Sequence, residues 1–572
     1  MKKSIQMSLF KLFPALSFVL IFFTSCRQQA HVQSLKGPIA NKFMISSAHP
    51  LASAIGVEIM KDGGNAIDAA IAVNFALAVV YPQAGNIGGG GFAVIRMNDG
   101  TVSSLDFREK APALAYREMY LNGNGQIHTQ LNTHGHLASG VPGTVDGMFR
   151  LHNKYGTLPM AKLIQPSIDL ALNGYILTPL AAKLLNKEQD NFQKYNRWVT
   201  PYHLDHKWIS NDIIKQPDLA QTLKHIQVDG RKGFYDGIVA EQIVAEMKNG
   251  NGLISLTDLK QYKSLWRKPV IGYYRGHKIF SMAPPSSGGI ALMQLLAGTE
   301  KFPIADWGHN SVKSIHLMTE LQRRVYADRS TYLGDPDFID VPIVQLLDSS
   351  YLQERFANIS LDKATPSALV SAGKIPAVES LETTHLSVVD ANGNAVAMTT
   401  TLNSSFGSKV MVKGAGFFLN NQMDDFSSSP GTTNQYGLIG GDANAIEPQK
   451  RMLSSMTPTI VTENNKLKMV VGTPGGPTII TSVYQTLLNV IDHGMGMQEA
   501  VNAKRVHHQW YPDEIQMEEG AISNRIQNRL EKLGHGFQIT EKIGRMDCIL
   551  ILQDGRLEGG ADPRGDNTAL GY

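Results

Sequence analysis

Two periods run along the chain. In "HPLASAIGVEIMKDGG" (49–64) apolar positions return every three to four residues, which predicts an amphipathic helix closed by Gly63-Gly64. "NAIDAAIAVNFALAVVYP" (65–82) is apolar on most faces. Its shortness, with Asp68 and Asn74 inside it, predicts a buried core helix rather than a membrane span. The glycine run "GNIGGGGF" then leads into a strand. Helical patterns with polar connections fill 155–270. "FSMAPPSSGGIALMQLL" predicts a loop and a helix start, with Ser286 or Ser287 available as cap. The tract 361–380, "LDKATPSALVSAGKIPAVES", has no clear period and predicts an exposed, mobile connection. From 383 the chain turns strand-rich, then ends in helices and "GGADPRGDNTALGY".

The strongest local signal is a hairpin. "HLSVVD" and "AVAMTTTL" are β-rich runs joined by "ANGN", and Asn-Gly between such runs marks a tight turn. A two-residue turn sets Thr383 opposite Leu402 and Thr384 opposite Thr401. A three-residue loop sets Thr383 opposite Thr401. Pattern alone leaves both registers open. It also leaves a plain reading, since Thr favours strands wherever they occur.

Composition narrows the class. The chain has 572 residues, 43% hydrophobic and 18% charged, which suits a globular protein with a large core. Residues 1–26 hold Lys2, Lys3 and Lys11 and no acid, so the remainder has 50 basic residues (53 − 3) and 50 acidic ones. That balance argues against nucleic acid as a partner. "MKKSIQMSLFK" and "LFPALSFVLIFF" read as the n- and h-regions of an export signal ending in "FTSC". The expected signal is 1–25, cut before a lipidated Cys26. A membrane-anchored tether would follow over 26–40. A plain secretory signal with an incidental Cys is the alternative. Only Cys548 would then remain, so neither an internal disulfide nor a cysteine metal site is expected.

No phosphate-binding loop, Gly-x-Ser-x-Gly elbow or His-Glu-x-x-His occurs, and "HGH" (134–136) and "HH" (507–508) lack metal-ligand spacing. Neither cofactor nor metal is expected. Four pieces carry chemistry. "LDFREKAP" places Arg108 among acids. "NNQMDDF" (420–426) offers amides and paired carboxylates. "LSSMTPTI" (453–460) has two consecutive hydroxyls. "GTPGGP" (472–477) is a tight turn whose Gly475 and Gly476 N–H groups are of the type that can donate to an oxyanion.

With "TTHLSVVD", "APPSSGG", "YADRS" and the closing "GGADPR", these pieces resemble the γ-glutamyltranspeptidases, or glutathione hydrolases, in family order over nearly the whole exported chain. The resemblance implies an α+β fold, the N-terminal-nucleophile αββα four-layer sandwich. It implies a precursor that cuts itself at Glu382–Thr383 into a large subunit (41–382) and a small one (383–572), which stay together as a heterodimer. Thr383 would be the nucleophile, with Thr401 supporting its hydroxyl, which favours the three-residue register. Gly475 and Gly476 would form the oxyanion hole. Arg108, Ser454 and Ser455 would hold the α-carboxylate of the substrate. Asn403, Gln422 and Asp425 would hold its α-ammonium. The tract 430–443 resembles a lid, with Tyr436 as its latch. Substrates would be glutathione and other γ-glutamyl amides, with water, amino acids or dipeptides as acceptors. A cephalosporin-type acylase or a poly-γ-glutamate-cleaving enzyme keeps the same nucleophile and is the competing reading.

Overall fold

Both N-terminal helices form where the pattern places them. Helix α1 (Pro50–Lys61) starts on His49, whose Nδ1 accepts from the Leu51 N–H at 3.3 Å. It ends with Gly63 at φ +92, and the Gly64 N–H donates to the Ile59 carbonyl. That closure needs a left-handed residue, which glycine adopts without penalty. Helix α2 (Ala66–Val80) opens on a capping box of Asn65 and Asp68, and every residue in it is buried. The computed structural model describes residues 37–124, 127–371, 382–427 and 441–572. Cys26, Tyr436, residues 372–380 of the first loose tract and residues 430–440 of the tract 430–443 therefore lie outside the described residues.

Fourteen strands build the centre: β1 (Ile39–Ala40), β2 (Met44–Ser47), β3 (Gly90–Arg96), β4 (Val102–Asp106), β5 (Leu265–Arg267), β6 (Val270–Tyr274), β7 (His277–Ser281), β8 (Glu382–Val389), β9 (Ala395–Asn403), β10 (Thr459–Glu463), β11 (Lys466–Val471), β12 (Asp547–Ile551), β13 (Leu557–Ala561) and β14 (Thr568–Gly571). They form two seven-stranded sheets, in the orders β1-β13-β12-β11-β10-β7-β6 and β14-β2-β8-β9-β3-β4-β5. Each sheet takes strands from both sides of the Glu382–Thr383 bond.

The two-residue period explains the layering. Ala395 and Ala397 of β9 face Ile460 and Val470 of the other sheet, while Val396 and Met398 face the helices α1 and α2. Helices α3 (Gly288–Thr299), α4 (Val312–Tyr332) and α5 (Thr478–Ile491) cover the outer face of the first sheet. The architecture is helix, sheet, sheet, helix. The sandwich expected from the sequence is the fold observed.

Two local expectations change. The chain does not end in helices: after a helix at Asn524–Leu533 it returns as β12, β13 and β14, and Tyr572 closes on the N–H groups of Asn41 and Lys42. Gly559 makes this close packing feasible, since a Cβ there would lie 2.5 Å from Ala569 Cβ and Met44 Sδ. Nor is the start of the 361–380 tract loose. Glu320 on α4, buried and facing Arg323 and Arg324, also accepts from Thr365 N–H and hydroxyl, and Asp513 accepts from Ser367 N–H at 2.7 Å. The buried Glu320 carboxylate demands such donors, and the tract supplies them.

Candidate active site

The β8–β9 hairpin adopts the three-residue register. Val389 pairs with Ala395 and Thr384 with Thr400. Gly393, at φ +81, donates its N–H to Asp390 O, and Asp390 Oδ1 accepts from the N–H groups of Asn392 and Asn394. Asp390 thus fixes the loop that sequence alone left open. The ladder slips by one residue between Glu382 and Thr384, so Glu382 pairs with Asn403. Buried Thr383 sits at that slip. Across from it the chain bends: Asn403 has φ +78 and donates its N–H to Thr401 Oγ1 at 2.8 Å.

Thr383 has no α-amine here, because its nitrogen is in the peptide bond to Glu382. The imidazole two residues along the strand offers no base. His385 is fully buried, with Nδ1 2.8 Å from Thr399 Oγ1 and Nε2 3.1 Å from Ser387 Oγ. Burial lowers its pKa to about 3, so the ring is neutral. It packs on Gly472, where a Cβ would fall 2.2 Å from the ring, and so props the strand that leads into the 473–477 turn.

That turn has Gly475 at φ +136 and Gly476 at φ +54. Gly475 O accepts from the Thr478 N–H and hydroxyl, and Gly476 O accepts from Ile479 N–H, so the carbonyls face α5. Neither glycine N–H donates to a partner among the described residues. Two unused backbone donors beside a hydroxyl nucleophile can stabilise a tetrahedral oxyanion.

A small cavity joins the parts. Its walls carry Thr383, Thr401, Arg108, Asn403, Gln422, Asp425, Ser454, Ser455 and Gly476, with Met456 and Ile479 as apolar neighbours. Its free volume is about 10 Å³, space for roughly one water. The reason is an ion pair: an Arg108 amine donates to Asp425 Oδ2, and both side chains are buried. Arg108 also donates to the carbonyls of Met452 and Leu453, while Gln422 Nε2 donates to Asp425 Oδ2 at 2.9 Å. Asn403 Oδ1 and Gln422 Oε1 are buried acceptors without a hydrogen-bond partner, the type of group an ammonium satisfies.

Ser454 and Ser455 are held from behind by the "APPSSGG" loop. Ser454 N–H donates to Pro285 O, and Ser287 gives both its N–H and its hydroxyl to Ser454 O. Ser287 precedes α3 without capping it through its side chain, while Ser286 Oγ accepts from Gly288 N–H. The serines expected to cap are mainly a brace for the substrate loop.

Two residues that the sequence reading did not single out belong here. Buried Arg329 on α4 donates to Ser287 Oγ at 2.8 Å and to Ser455 Oγ at 3.2 Å; its "YADRS" setting was the available signal. Glu109 is fully buried, has no hydrogen-bond partner for either oxygen, and lies 3.6 Å from an Arg108 amine. Burial raises its pKa to about 8 against the pull of Arg108, so at neutral pH it is mainly protonated.

The description "Gamma-glutamyltranspeptidase" belongs to the family whose model matches residues 52–572. The chain is 45% identical over 543 residues to the glutathione hydrolase proenzyme of Escherichia coli K12, covering 93% of this chain and 92% of that one. Among solved structures it is similar to a cephalosporin acylase from Bacillus halodurans, with TM-score 0.83, 26% identity and coverage of 96% and 98%. It is also similar to the γ-glutamyltranspeptidase of Helicobacter pylori, with TM-score 0.56, 45% identity and coverage of 60% and 97%.

Proposed function

The chain belongs to the gamma-glutamyltranspeptidase family, and we propose that Thr383 is the nucleophile through which it works. It is a γ-glutamyltransferase and glutathione hydrolase of the N-terminal-nucleophile class, made as a proenzyme. The Thr383 hydroxyl attacks the Glu382 carbonyl, and water resolves the resulting ester. A large subunit ending at Glu382 and a small one starting at Thr383 remain associated, held by strands from both in each sheet. Cleavage creates the α-amine of Thr383. With a reference pKa of about 7.7–8.0 it is a suitable base near neutral pH. It takes the hydroxyl proton as Oγ attacks the γ-carbonyl of the donor. Gly475 and Gly476 stabilise the oxyanion, and Thr401 orients the hydroxyl. The leaving amine receives the proton. The γ-glutamyl–Thr383 ester then passes to water or to an acceptor amine.

The observation that carries the reading is the meeting of Arg108 and Asp425 in the Thr383 cavity. A γ-glutamyl group is a zwitterion at its α-carbon. Its carboxylate replaces Asp425 on Arg108 and reaches Ser454 and Ser455. Its ammonium replaces Arg108 on Asp425 and reaches the free oxygens of Asn403 and Gln422. Each buried charge exchanges one partner for another, so neither is left unpaired. The signal 1–25 exports the chain, and Cys26 anchors it to a membrane through the tether 26–40. Among the described residues no helix is long and apolar enough to cross a membrane.

The test compares γ-glutamyl-p-nitroanilide with glutaryl-p-nitroanilide, which keeps the carboxylate and lacks the amine. The processed protein should turn over the first and reject the second. Equal turnover would support the acylase reading instead.

A further inference from the structure

One face of α4 touches both halves of the site. Tyr326 and Arg329 stand three residues apart, so their side chains leave the helix on the same side. Both are buried. The Tyr326 hydroxyl donates to Pro477 O, where the 473–477 turn enters α5. Its ring meets that of His507 edge to face, with centroids 5.7 Å apart. Arg329 donates through Nε to Ser287 Oγ and through an Nη amine to Ser455 Oγ. The neighbouring Asp328 accepts from the Tyr351 hydroxyl at 2.7 Å and from Arg355 Nε at 2.8 Å, which ties α4 to the helix Ser349–Phe356. A hydroxyl has one proton to give and two lone pairs to accept with. Ser287 accepts from Arg329, and its own proton goes to Ser454 O at 2.7 Å. Ser455 accepts from the same guanidinium, but among the described residues its hydroxyl donates to no acceptor. Ser455 lines the Thr383 cavity. Its proton is left for whatever enters, and a cation on the oxygen makes it a stronger donor.

We propose that Arg329 and Tyr326 are positioning residues for the two halves of the reaction. Arg329 aims the Ser455 hydroxyl at the α-carboxylate of the substrate, and Tyr326 holds the oxyanion turn in place. The inference rests on the γ-glutamyl reading of the Thr383 pocket. Neither side chain lines that pocket, so each acts through the group it holds. The two roles fall on different kinetic quantities. The α-carboxylate is the same in the bound donor and in the transition state, so a group that aims its partner contributes to binding alone. The oxyanion exists only once the carbonyl is attacked, so a group that holds its donors contributes to the rate. One helix turn thus sets recognition at Ser455 and chemistry at Gly475 and Gly476, from a scaffold outside the cavity.

The experiment measures KM and kcat of the processed protein for hydrolysis of γ-glutamyl-p-nitroanilide. Arg329→Gln should raise KM roughly 10-fold, the worth of one hydrogen bond to a charged group, and leave kcat within about 2-fold. Tyr326→Phe keeps the ring and should do the reverse, lowering kcat roughly 10-fold with KM within about 2-fold. Arg329→Lys keeps the charge and should recover part of the lost affinity. Adding Arg329→Gln to Ser455→Ala should raise KM by less than about 3-fold more, because the hydroxyl it aims is already gone. Where Arg329→Gln yields no processed protein, Arg329→Lys makes the same comparison with and without Ser455. A merely structural role would move KM and kcat together in both variants, and the effect of Arg329 would add in full to that of Ser455→Ala. Either result overturns the proposal. If wild type releases no p-nitroaniline at all, the γ-glutamyl reading itself fails, whereas turnover without this division removes only the positioning roles.

Discussion

Arg108 and Asp425, 317 positions apart in the chain, form a buried ion pair that fills the cavity beside Thr383. The pair keeps two desolvated charges satisfied until a zwitterion divides them. Truncating one partner of such a pair costs about 2–5 kcal/mol. Arg108→Ala and Asp425→Ala should therefore each lower kcat/KM for γ-glutamyl-p-nitroanilide by roughly 30-fold to several thousand-fold. Each should also lower the melting temperature, and the double variant Arg108→Met/Asp425→Leu should recover stability without recovering activity. A double variant no more stable than the singles would contradict the pairing.

Self-cleavage is expected at the ladder slip. The purified protein should give two fragments, the smaller starting at Thr383 and running 190 residues to Tyr572 (572 − 383 + 1). Thr383→Ala should remain one chain, whereas Arg108→Ala and Asp425→Ala should still be cut. N-terminal sequencing of the small fragment decides the position.

The 473–477 turn should be intolerant of a side chain. At Gly475, φ is +136 and a Cβ would fall 2.6 Å from Thr478 Oγ1. Gly475→Ala should displace the N–H donors and lower kcat by about 10²- to 10³-fold, the usual loss for one oxyanion donor. KM should change less. A variant with wild-type kcat would remove this turn from the mechanism.

Acid should destabilise the fold from pH 6.5 downward. Burial lowers the pKa of His385 and His535 to about 3 and of His49 and His507 to about 4. The unfolded chain binds protons at these four sites near pH 6.5, and the folded chain does not. Their contribution is complete above pH 6.5 and is lost as pH falls, down to about 4 for His49 and His507 and to about 3 for His385 and His535. Each contributes a slope of up to about 1.4 kcal/mol per pH unit. His385→Gln should reduce that slope by one proton in denaturant titrations at several pH values. An unchanged slope would mean that His385 is protonated in the fold.

The export signal makes a separable claim. Wild type should partition with membranes, and Cys26→Ser should release the protein or block its maturation. Equal partitioning of both forms would exclude a lipid at Cys26.

The sequence by itself determined the N-terminal helices and the central hairpin, whose signals are local, but not the three closing strands. Helix α1 follows from 3.6-residue spacing, helix α2 from a short run apolar on most faces, and the β8–β9 hairpin from β-rich runs around Asn392-Gly393. The site residues were named through the resemblance of several short motifs, in order, to one family; each motif alone reads as readily as a turn, a cap or a salt bridge. The tertiary structure alone decided what depends on who meets whom. The hairpin register was undecidable from propensity, because both loops suit Asn-Gly; Asp390 accepting from the loop N–H groups selects the longer one. That Arg108 and Asp425 bind each other, that Arg329 braces Ser455, and that Glu109 is buried as a neutral acid are long-range facts about desolvation. A buried charge must find its partner wherever the fold brings one, and no local pattern records where that is.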